Sequence, residues 1–263
     1  MSEPKTLYLV RHGESTFNEW RKQSLRDFSW LWVRDPMIID APLSVKGKEQ
    51  VGSEEPPRLI DAVAGLHEIV KANQLDEKVQ VIITSPLTRA IETTLGGFGC
   101  AGAPIIGGLS CLVAVNVVIQ PSSETLTLSN VERPVDAGCR EMLDTACDIG
   151  RQPDDLQASF PQIDFSGLPP FWWADPQQSG MPTNELVLIP TKPKEVLPLR
   201  EDSEQLDARI RDFVERLAAR PEQHIAVVGH SSYFKRMLGM SRKLYNCELH
   251  EVALDEVVAR WSR

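Results

Sequence analysis

The residues of this chain best suited to chemistry are an arginine and a histidine that stand side by side directly after a strand-like run. Arg11, His12 and Gly13 follow the β-rich residues 6–10, where a strand should end. Open α/β folds bind their ligands at the carboxyl edge of the sheet. A permanent cation beside an imidazole at that edge predicts a binding site for a phosphate group.

Two later segments repeat this strand-to-turn design. Residues 81–90 read as an apolar strand, a Ser-Pro turn and a helix start that carries Arg89. Residues 224–232 read as a second apolar strand and a turn that holds another histidine, His230. Between these segments, Glu141 supplies a carboxylic acid. These features strengthen the prediction of a phosphate site.

Taken in order, the four segments resemble the signature of the histidine phosphatase superfamily, in its phosphoglycerate-mutase-like group. That signature is Arg-His-Gly-Glu-Ser after the first strand, Ser-Pro-Leu-x-Arg-Ala, an Arg-Glu pair and a late Gly-His. All four occur in this order between residues 7 and 230. The resemblance implies an α/β fold in which residues 1–263 form a single domain, with a mostly parallel central sheet flanked by helices.

Two segments depart most from the relatives. We interpret residues 14–40 and 152–199 as a helical and loop cap over the carboxyl edge of the sheet, where they would shape the leaving-group pocket. Surface packing of aromatic side chains explains the tryptophans of the first segment equally well. The second segment is rich in proline, too irregular for a core element and long for an idle loop.

A phosphohistidine mechanism fits these side chains. Phosphoryl transfer needs positioning and charge from a protein, and a neutral imidazole in line with the ester oxygen can attack phosphorus. His12 is the expected nucleophile, since the missing Cβ of Gly13 lets the backbone approach the phosphate. Arg11 and Arg89 are expected to hold the equatorial oxygens with their forked donors.

The resemblance assigns the remaining site residues. It implies that His230 completes the pocket as a cation or hydrogen-bond donor and that Asn18 touches the transferring phosphoryl group. Glu141 matches the acid that protonates the leaving group and then accepts a proton from the attacking water. Two alternatives stay open: a surface salt bridge between Glu141 and Arg140, and a helix-capping role for Asn18.

The segments around the acid and the late histidine favour a phosphatase over a mutase. The mutases carry Glu-Arg-x-Tyr-Gly at the acid and Gly-His-Gly-Asn or Gly-His-Gly-Gly at the histidine. This chain has Glu-Met-Leu-Asp at 141–144 and Gly-His-Ser-Ser at 229–232. We therefore expect a phosphomonoester hydrolase acting on an unidentified small phosphorylated metabolite. The alternatives are a phosphoglycerate mutase and, from another class, a phospho-ligand-binding module without turnover.

The amino-acid composition indicates the class of protein and the cellular compartment in which this chemistry would occur. The chain has 263 residues, of which 42% are hydrophobic and 25% charged, as is usual for a globular protein. Its net charge of −9 argues against non-specific nucleic-acid binding. The five cysteines form no Cys-x-x-Cys pair, which argues against a zinc site and suits the cytoplasm. No apolar run approaches the roughly 20 residues that span a bilayer.

These observations predict a cytoplasmic enzyme that uses no metal and no cofactor and binds neither nucleic acid nor membrane. A bisphosphoglycerate primer would be needed only by the mutase alternative. Local patterns also predict several elements. Ser44 is an expected N-cap, and apolar residues at helical spacing predict a helix that runs to about Ala72. Residues 112–119 and 249–261 read as strands, the latter at a sheet edge.

Overall fold

A computed structural model describes residues 4–52, 65–98, 135–174 and 187–262. Its centre is a four-stranded sheet in the order β2-β3-β1-β4. The strands are β1 (Thr6–Arg11), β2 (Val81–Thr84), β3 (His224–Gly229) and β4 (Leu249–Ala253). β1 and β2 run parallel to β3, whereas β4 pairs antiparallel with β1 at the edge. The α/β fold with a mostly parallel central sheet is therefore confirmed.

Helices flank this sheet. In the described parts of the chain they are α1 (Thr16–Arg26), α2 (Val45–Val51), α3 (Leu66–Ala72), α4 (Leu75–Lys78), α5 (Thr88–Gly97), α6 (Pro153–Ser159), α7 (Pro193–Val196), α8 (Ser203–Ala219), α9 (Ser231–Leu238) and α10 (Leu254–Trp261). α8 begins at its N-cap Asp202, whose carboxylate accepts hydrogen bonds from the N–H groups of Glu204 and Gln205. No helix over these residues is both long and apolar enough to cross a bilayer.

The inner strands are apolar throughout because both faces of the sheet are covered. In β1, Leu7 and Leu9 pack on the face that carries Phe213 of α8, while Tyr8 and Val10 pack on the opposite face. This alternation follows from the two-residue period of a strand. It fixes β1 between two layers, so the direction in which its last residues project is set by the core.

The local predictions hold in part. Ser44 caps α2, and its hydroxyl accepts a hydrogen bond from the N–H of Gly47 at 3.1 Å. The predicted helix ends at Ala72 as expected, whereas its part before residue 65 and the predicted strand at 112–119 lie outside the described residues. The edge strand ends at Ala253, and a helix follows it. The strand prediction was wrong there because acidic residues in the first turn favour a helix start.

The proline-rich stretch 152–199 was predicted to be too irregular for the core, and its described residues contradict this. Trp172 and Trp173 are buried and pack in one cluster with apolar residues of α5. Each indole N–H is satisfied: Trp172 donates to the carbonyl of Arg151 at 2.9 Å, and Trp173 to that of Leu188 at 3.0 Å. Irregular backbone can thus bury large side chains once their polar atoms have partners.

Candidate active site

Strand ends bring most of the predicted residues to one cavity of about 540 Å³. Arg11 ends β1, His12 follows it, and Arg89 lies in the first turn of α5, shortly after β2. All three line the cavity together with Asn18 and Glu141. His230, which follows β3, is fully buried beside His12, with 5.1 Å between the two ring centroids. It is absent from the residues that line the cavity.

The hydrogen bonding of His12 fixes its tautomer. Its Nδ1 lies 2.6 Å from the carbonyl oxygen of Gly13, and a carbonyl can only accept. Nδ1 therefore carries the proton, and Nε2 of the neutral ring has a lone pair. The side chain of Asn246 donates to the carbonyl of His12 at 2.9 Å and holds this backbone in place. The ring is thus oriented from two sides.

The surroundings of His12 keep it uncharged. Burial lowers its pKa well below the ordinary value of a histidine, and the nearby guanidinium groups of Arg89 and Arg11 lower it further. Both effects penalise the imidazolium form. A histidine that stays neutral keeps its lone pair, which is the state a nucleophile needs.

His230 is held by the turn after β2. Its Nε2 lies 2.8 Å from the hydroxyl of Ser85, which also accepts a hydrogen bond from the N–H of Leu87. This hydroxyl can donate its proton to Nε2, and in the tautomer in which it does so Nδ1–H is the donor. Nδ1 is buried and has no hydrogen-bond partner among the described residues. A buried donor of this kind is costly unless a ligand satisfies it.

The loop before β4 fixes Arg11. Its Nη1 donates to the carbonyl of Leu244 at 2.7 Å, and its own carbonyl accepts from the N–H of Cys247 at 3.0 Å. Its Nε is buried and lacks a partner within the described structure. Burial lowers the pKa of Arg11, with Glu141 acting in the opposite direction. The guanidinium is thus anchored at one end and has unused donors for an anion.

Arg89 is held in a buried ion pair that the sequence did not predict. Its Nη2 lies 2.9 Å from Oδ1 of Asp148, and its Nη1 donates to the carbonyl of Cys147 at 2.6 Å. Burial raises the pKa of Asp148 to about 6, against the opposing effect of Arg89. Asp148 aligns the guanidinium and supplies the negative charge that a buried arginine requires. We class it as a positioning residue.

Replacing Arg89 by lysine tests this fork. Arg89→Lys is expected to lower kcat/KM on the order of a hundredfold, because one ammonium group cannot bind Cys147, Asp148 and a phosphate in the planar geometry of a guanidinium. Steady-state phosphate release measures the effect, and circular dichroism checks the fold. The matched control is Arg26→Lys at the exposed end of α1. Near-wild-type activity of Arg89→Lys would show that Arg89 contributes only its charge.

The carboxylate of Glu141 caps a helix. Its Oε1 accepts a hydrogen bond from the N–H of Tyr233 at 2.9 Å, and its Oε2 accepts one from that of Ser232 at 3.2 Å, both in the first turn of α9. Arg140, the partner considered for Glu141 from the sequence, forms an ion pair with Glu201, with 3.5 Å between its Nη2 and Oε1 of Glu201. Helix α9 thus places a carboxylate at the wall of the cavity.

The loop that carries Glu141 is anchored from α8. Arg209 donates from Nη1 to the carbonyls of Gly138 and Arg140, each at 2.9 Å, and from Nε to Glu201 at 2.7 Å. Arg209 and Glu201 are both largely buried. This network holds the backbone that leads into the acid.

Asn18 and Gly13 have structural tasks of their own. Asn18 belongs to a capping box: its Oδ1 accepts from the N–H of Ser15 at 3.3 Å, and its own N–H donates to the Ser15 hydroxyl. Its contact with a phosphate stays a prediction. A Cβ on Gly13 would lie 2.9 Å from the carbonyl oxygen of Gly47. The missing Cβ of Gly13 therefore leaves room for the neighbouring backbone, and the approach of this glycine to a phosphate stays a prediction.

The two proposed cap segments differ in their relation to the cavity. Residues 14–40 supply much of its wall, including Trp20 and Trp30. Residues 152–199 supply none of the lining side chains in their described part, and 175–186 lie outside it. The cap role of this second segment stays a prediction for those residues alone. Three basic residues of the wall were not predicted, namely Arg21, Arg34 and Lys243.

Known proteins similar to this chain are named for phosphoglycerate mutases. No family model matches it. The chain is 29% identical over 267 residues to a phosphoglycerate mutase-like protein of Arabidopsis thaliana, covering 95% of this chain and 84% of that protein. It is 28% identical over 237 residues to phosphoglycerate mutase-like protein 1 of the same plant, covering 87% and 69%.

Among solved structures, the alpha-ribazole phosphatase of Shigella flexneri has a TM-score of 0.43 at 17% identity, covering 94% of this chain and 89% of that one. The match to the plant proteins runs along almost the whole chain, and the predicted segments meet at one sheet edge. The similarity to these proteins supports the prediction that the chain is an enzyme. It also confirms the predicted resemblance to the phosphoglycerate-mutase-like group of the histidine phosphatase superfamily.

Proposed function

We propose that the protein hydrolyses a small phosphorylated metabolite, a phosphomonoester, through a phosphohistidine on Nε2 of His12. The observation that carries this proposal is the hydrogen bond from Nδ1–H of His12 to Gly13. It leaves the Nε2 lone pair of a neutral ring beside two arginines. Such a group can attack a phosphate whose negative charge the arginines balance.

In the first step, the Nε2 lone pair attacks phosphorus, an N–P bond forms and the ester P–O bond breaks. Arg11 and Arg89 balance the charge on the equatorial oxygens, and Nδ1–H of His230 donates to one of them. Glu141, in its protonated form, gives its proton to the leaving oxygen. The leaving group departs as an alcohol, and the phosphoryl group stays on His12.

In the second step, a water molecule releases the phosphate. The carboxylate of Glu141 accepts a proton from this water as its oxygen attacks phosphorus, and the N–P bond breaks. Inorganic phosphate leaves, and His12 and Glu141 return to their starting states. The wall position of Glu141 supports this role, since both the leaving oxygen and the water must be reached from one side chain.

Hydrolysis and mutase activity differ in what accepts the phosphoryl group. We expect 3-phosphoglycerate with a bisphosphoglycerate primer to give little 2-phosphoglycerate, while some monoester releases inorganic phosphate. Ser231 and Ser232, which replace the glycine-rich residues of the mutases, line the cavity beside the second histidine, and a mutase must exclude water from its site. A coupled assay of both products over a panel of monoesters measures the partition. Interconversion faster than hydrolysis would establish the mutase alternative.

Metal removal probes the electrostatics of the proposal. We expect the activity to survive exhaustive chelation with EDTA, because Arg11, Arg89 and His230 supply the charge and donors that many phosphoryl-transfer enzymes take from Mg²⁺. The measurement is phosphate release before and after chelation and dialysis. Loss of activity with recovery on adding one metal ion would contradict the proposed charge balance.

The setting of the enzyme remains part of the proposal. We place residues 1–263 in a single domain, with segment 14–40 as the cap of the leaving-group pocket. We also propose a cytoplasmic location, which is supported by the free thiols of Cys139, Cys147 and Cys247.

A further inference from the structure

Exposed apolar side chains are concentrated beside the cavity. Six of the eleven large apolar side chains that are exposed in the described residues lie within nine positions, and Trp32 is 86% exposed. We call this set the apolar rim: Leu25, Phe28, Trp30, Leu31, Trp32 and Val33. Monomeric proteins rarely leave a contiguous apolar patch uncovered without a functional reason.

The apolar rim is continuous with the wall of the phosphate site. Leu25 and Trp30 belong to the rim and also line the cavity. Further in, the same wall is formed by Phe17 and Trp20 of α1, whose ring centroids lie 5.6 Å apart. Positions 17 and 20 are three residues apart and are therefore neighbours on the helix surface. Phe17 and Leu25 are eight residues apart, or about 12 Å along the helix axis.

Because the apolar rim continues into the cavity wall, it indicates which kind of ligand would bind there. A ligand that covers only the apolar rim would leave the half-buried Trp20 uncovered, and one that fills only the phosphate site would leave both Trp20 and the rim uncovered. A phosphomonoester with a long apolar alcohol portion covers both at once. Its phosphate would lie at His12 and its apolar portion would run outward along α1.

We propose that the substrate's leaving group is an extended apolar group, aliphatic or aromatic, that packs against Phe17, Trp20, Leu25 and Trp30. This inference rests on the proposed function, and it names the class of alcohol that the hydrolysis releases. Removing such a group from water stabilises the complex in proportion to its buried apolar area. Chain length therefore controls affinity.

A series of alkyl phosphates from ethyl to decyl, kept below their micelle concentrations, tests the inference. We expect kcat/KM to rise roughly two- to fourfold per added methylene until the chain passes Trp30. The matching alkyl phosphonates, which cannot be hydrolysed, should show the same rise in affinity by titration calorimetry. The phosphonates test binding independently of turnover.

Substitutions in the cavity wall test whether this wall causes the dependence on chain length. Leu25→Ser and Trp30→Ser should each lower the octyl-to-ethyl ratio of kcat/KM and of phosphonate affinity roughly three- to tenfold. Ile189→Ser is the matched control, because Ile189 is 55% exposed against 56% for Leu25 and lies outside the cavity lining. This control should keep the wild-type ratio.

Other occupants give distinct results, each of which overturns the inference. If the protein prefers an ω-carboxyalkyl phosphate to the alkyl phosphate of equal length, the mouth of the cavity binds a second anionic group at Arg21 and Arg34. If kcat/KM does not depend on chain length and the protein binds phosphatidylcholine vesicles, and if Trp32→Ser abolishes this binding, the apolar rim contacts a lipid surface. A dimer that Trp32→Ser dissociates would assign it to a second copy of the chain.

The two proposals fail separately. Turnover without any chain-length dependence overturns this inference and leaves the hydrolase proposal intact. Phosphonate affinity that rises with chain length, without turnover of any ester, overturns the hydrolase proposal and supports the apolar ligand class. Flat affinity together with no turnover overturns both.

Discussion

Alanine in place of His12 is expected to abolish phosphate release, with kcat/KM falling on the order of 10⁴-fold or more on every monoester. The reason is that no other nucleophile in the described cavity combines a free lone pair with the charge balance of Arg11 and Arg89. Phosphate release measures the loss. Rapid quench with a ³²P-labelled ester should trap an acid-labile label on the wild-type protein and none on the variant.

A matched histidine serves as the control for His12→Ala. His224 begins β3, at the opposite end of the strand that precedes His230, and its ring lies 3.3 Å from the hydroxyl of Tyr8. His224→Ala should retain both turnover and label. Residual turnover of His12→Ala within tenfold of wild type would refute the nucleophile assignment. Ligand binding with neither label nor turnover in the wild type would identify a binding module.

Glutamine in place of Glu141 is expected to slow alkyl ester hydrolysis by roughly two to four decades, while p-nitrophenyl phosphate is affected far less. An alkoxide leaves poorly without a proton, whereas nitrophenolate needs none. The measurement is the ratio of the kcat/KM values for the two esters, which reports the first step and not the release of phosphate from His12. Burst kinetics with the aryl ester should then expose the second step, because glutamine cannot accept the proton of the attacking water.

A neighbouring carboxylate controls for the loss of charge in Glu141→Gln. Asp144 lines the same cavity and is 69% exposed at its side chain, where it meets Arg200. Asp144→Asn should change the two esters alike and leave their ratio as in the wild type. Equal losses on both esters in Glu141→Gln would show that Glu141 does not supply the proton. Its role would then be limited to capping α9.

Strand ends made the centre of the site predictable from the sequence. Arg11, His12 and His230 each terminate or follow an apolar run, and parallel strands bring such positions to one edge whatever the loops do. Arg89 follows the same logic one turn into α5. Local pattern therefore sufficed wherever a residue's place depends on the sheet alone.

Tertiary pairing made the remainder of the site unpredictable. Asp148 meets Arg89 across 58 intervening residues, and the anchoring of Arg140 by Arg209 spans a similar separation. A single sequence carries no pattern that links such partners. Gly13 shows the same limit, since its small size serves a contact with Gly47 that only the folded backbone creates.

The position of β1 in the sheet determines when the candidate active site can form during synthesis. Its two neighbours are β3 and β4, so Thr6 pairs with His224 on one side and with Ala253 on the other. During synthesis the strand that precedes His12 therefore emerges before residues 224–253, with which it pairs. Such long-range pairing folds slowly and leaves an unpaired apolar strand on the ribosome. The candidate active site can assemble only after residues 224–253 have been translated.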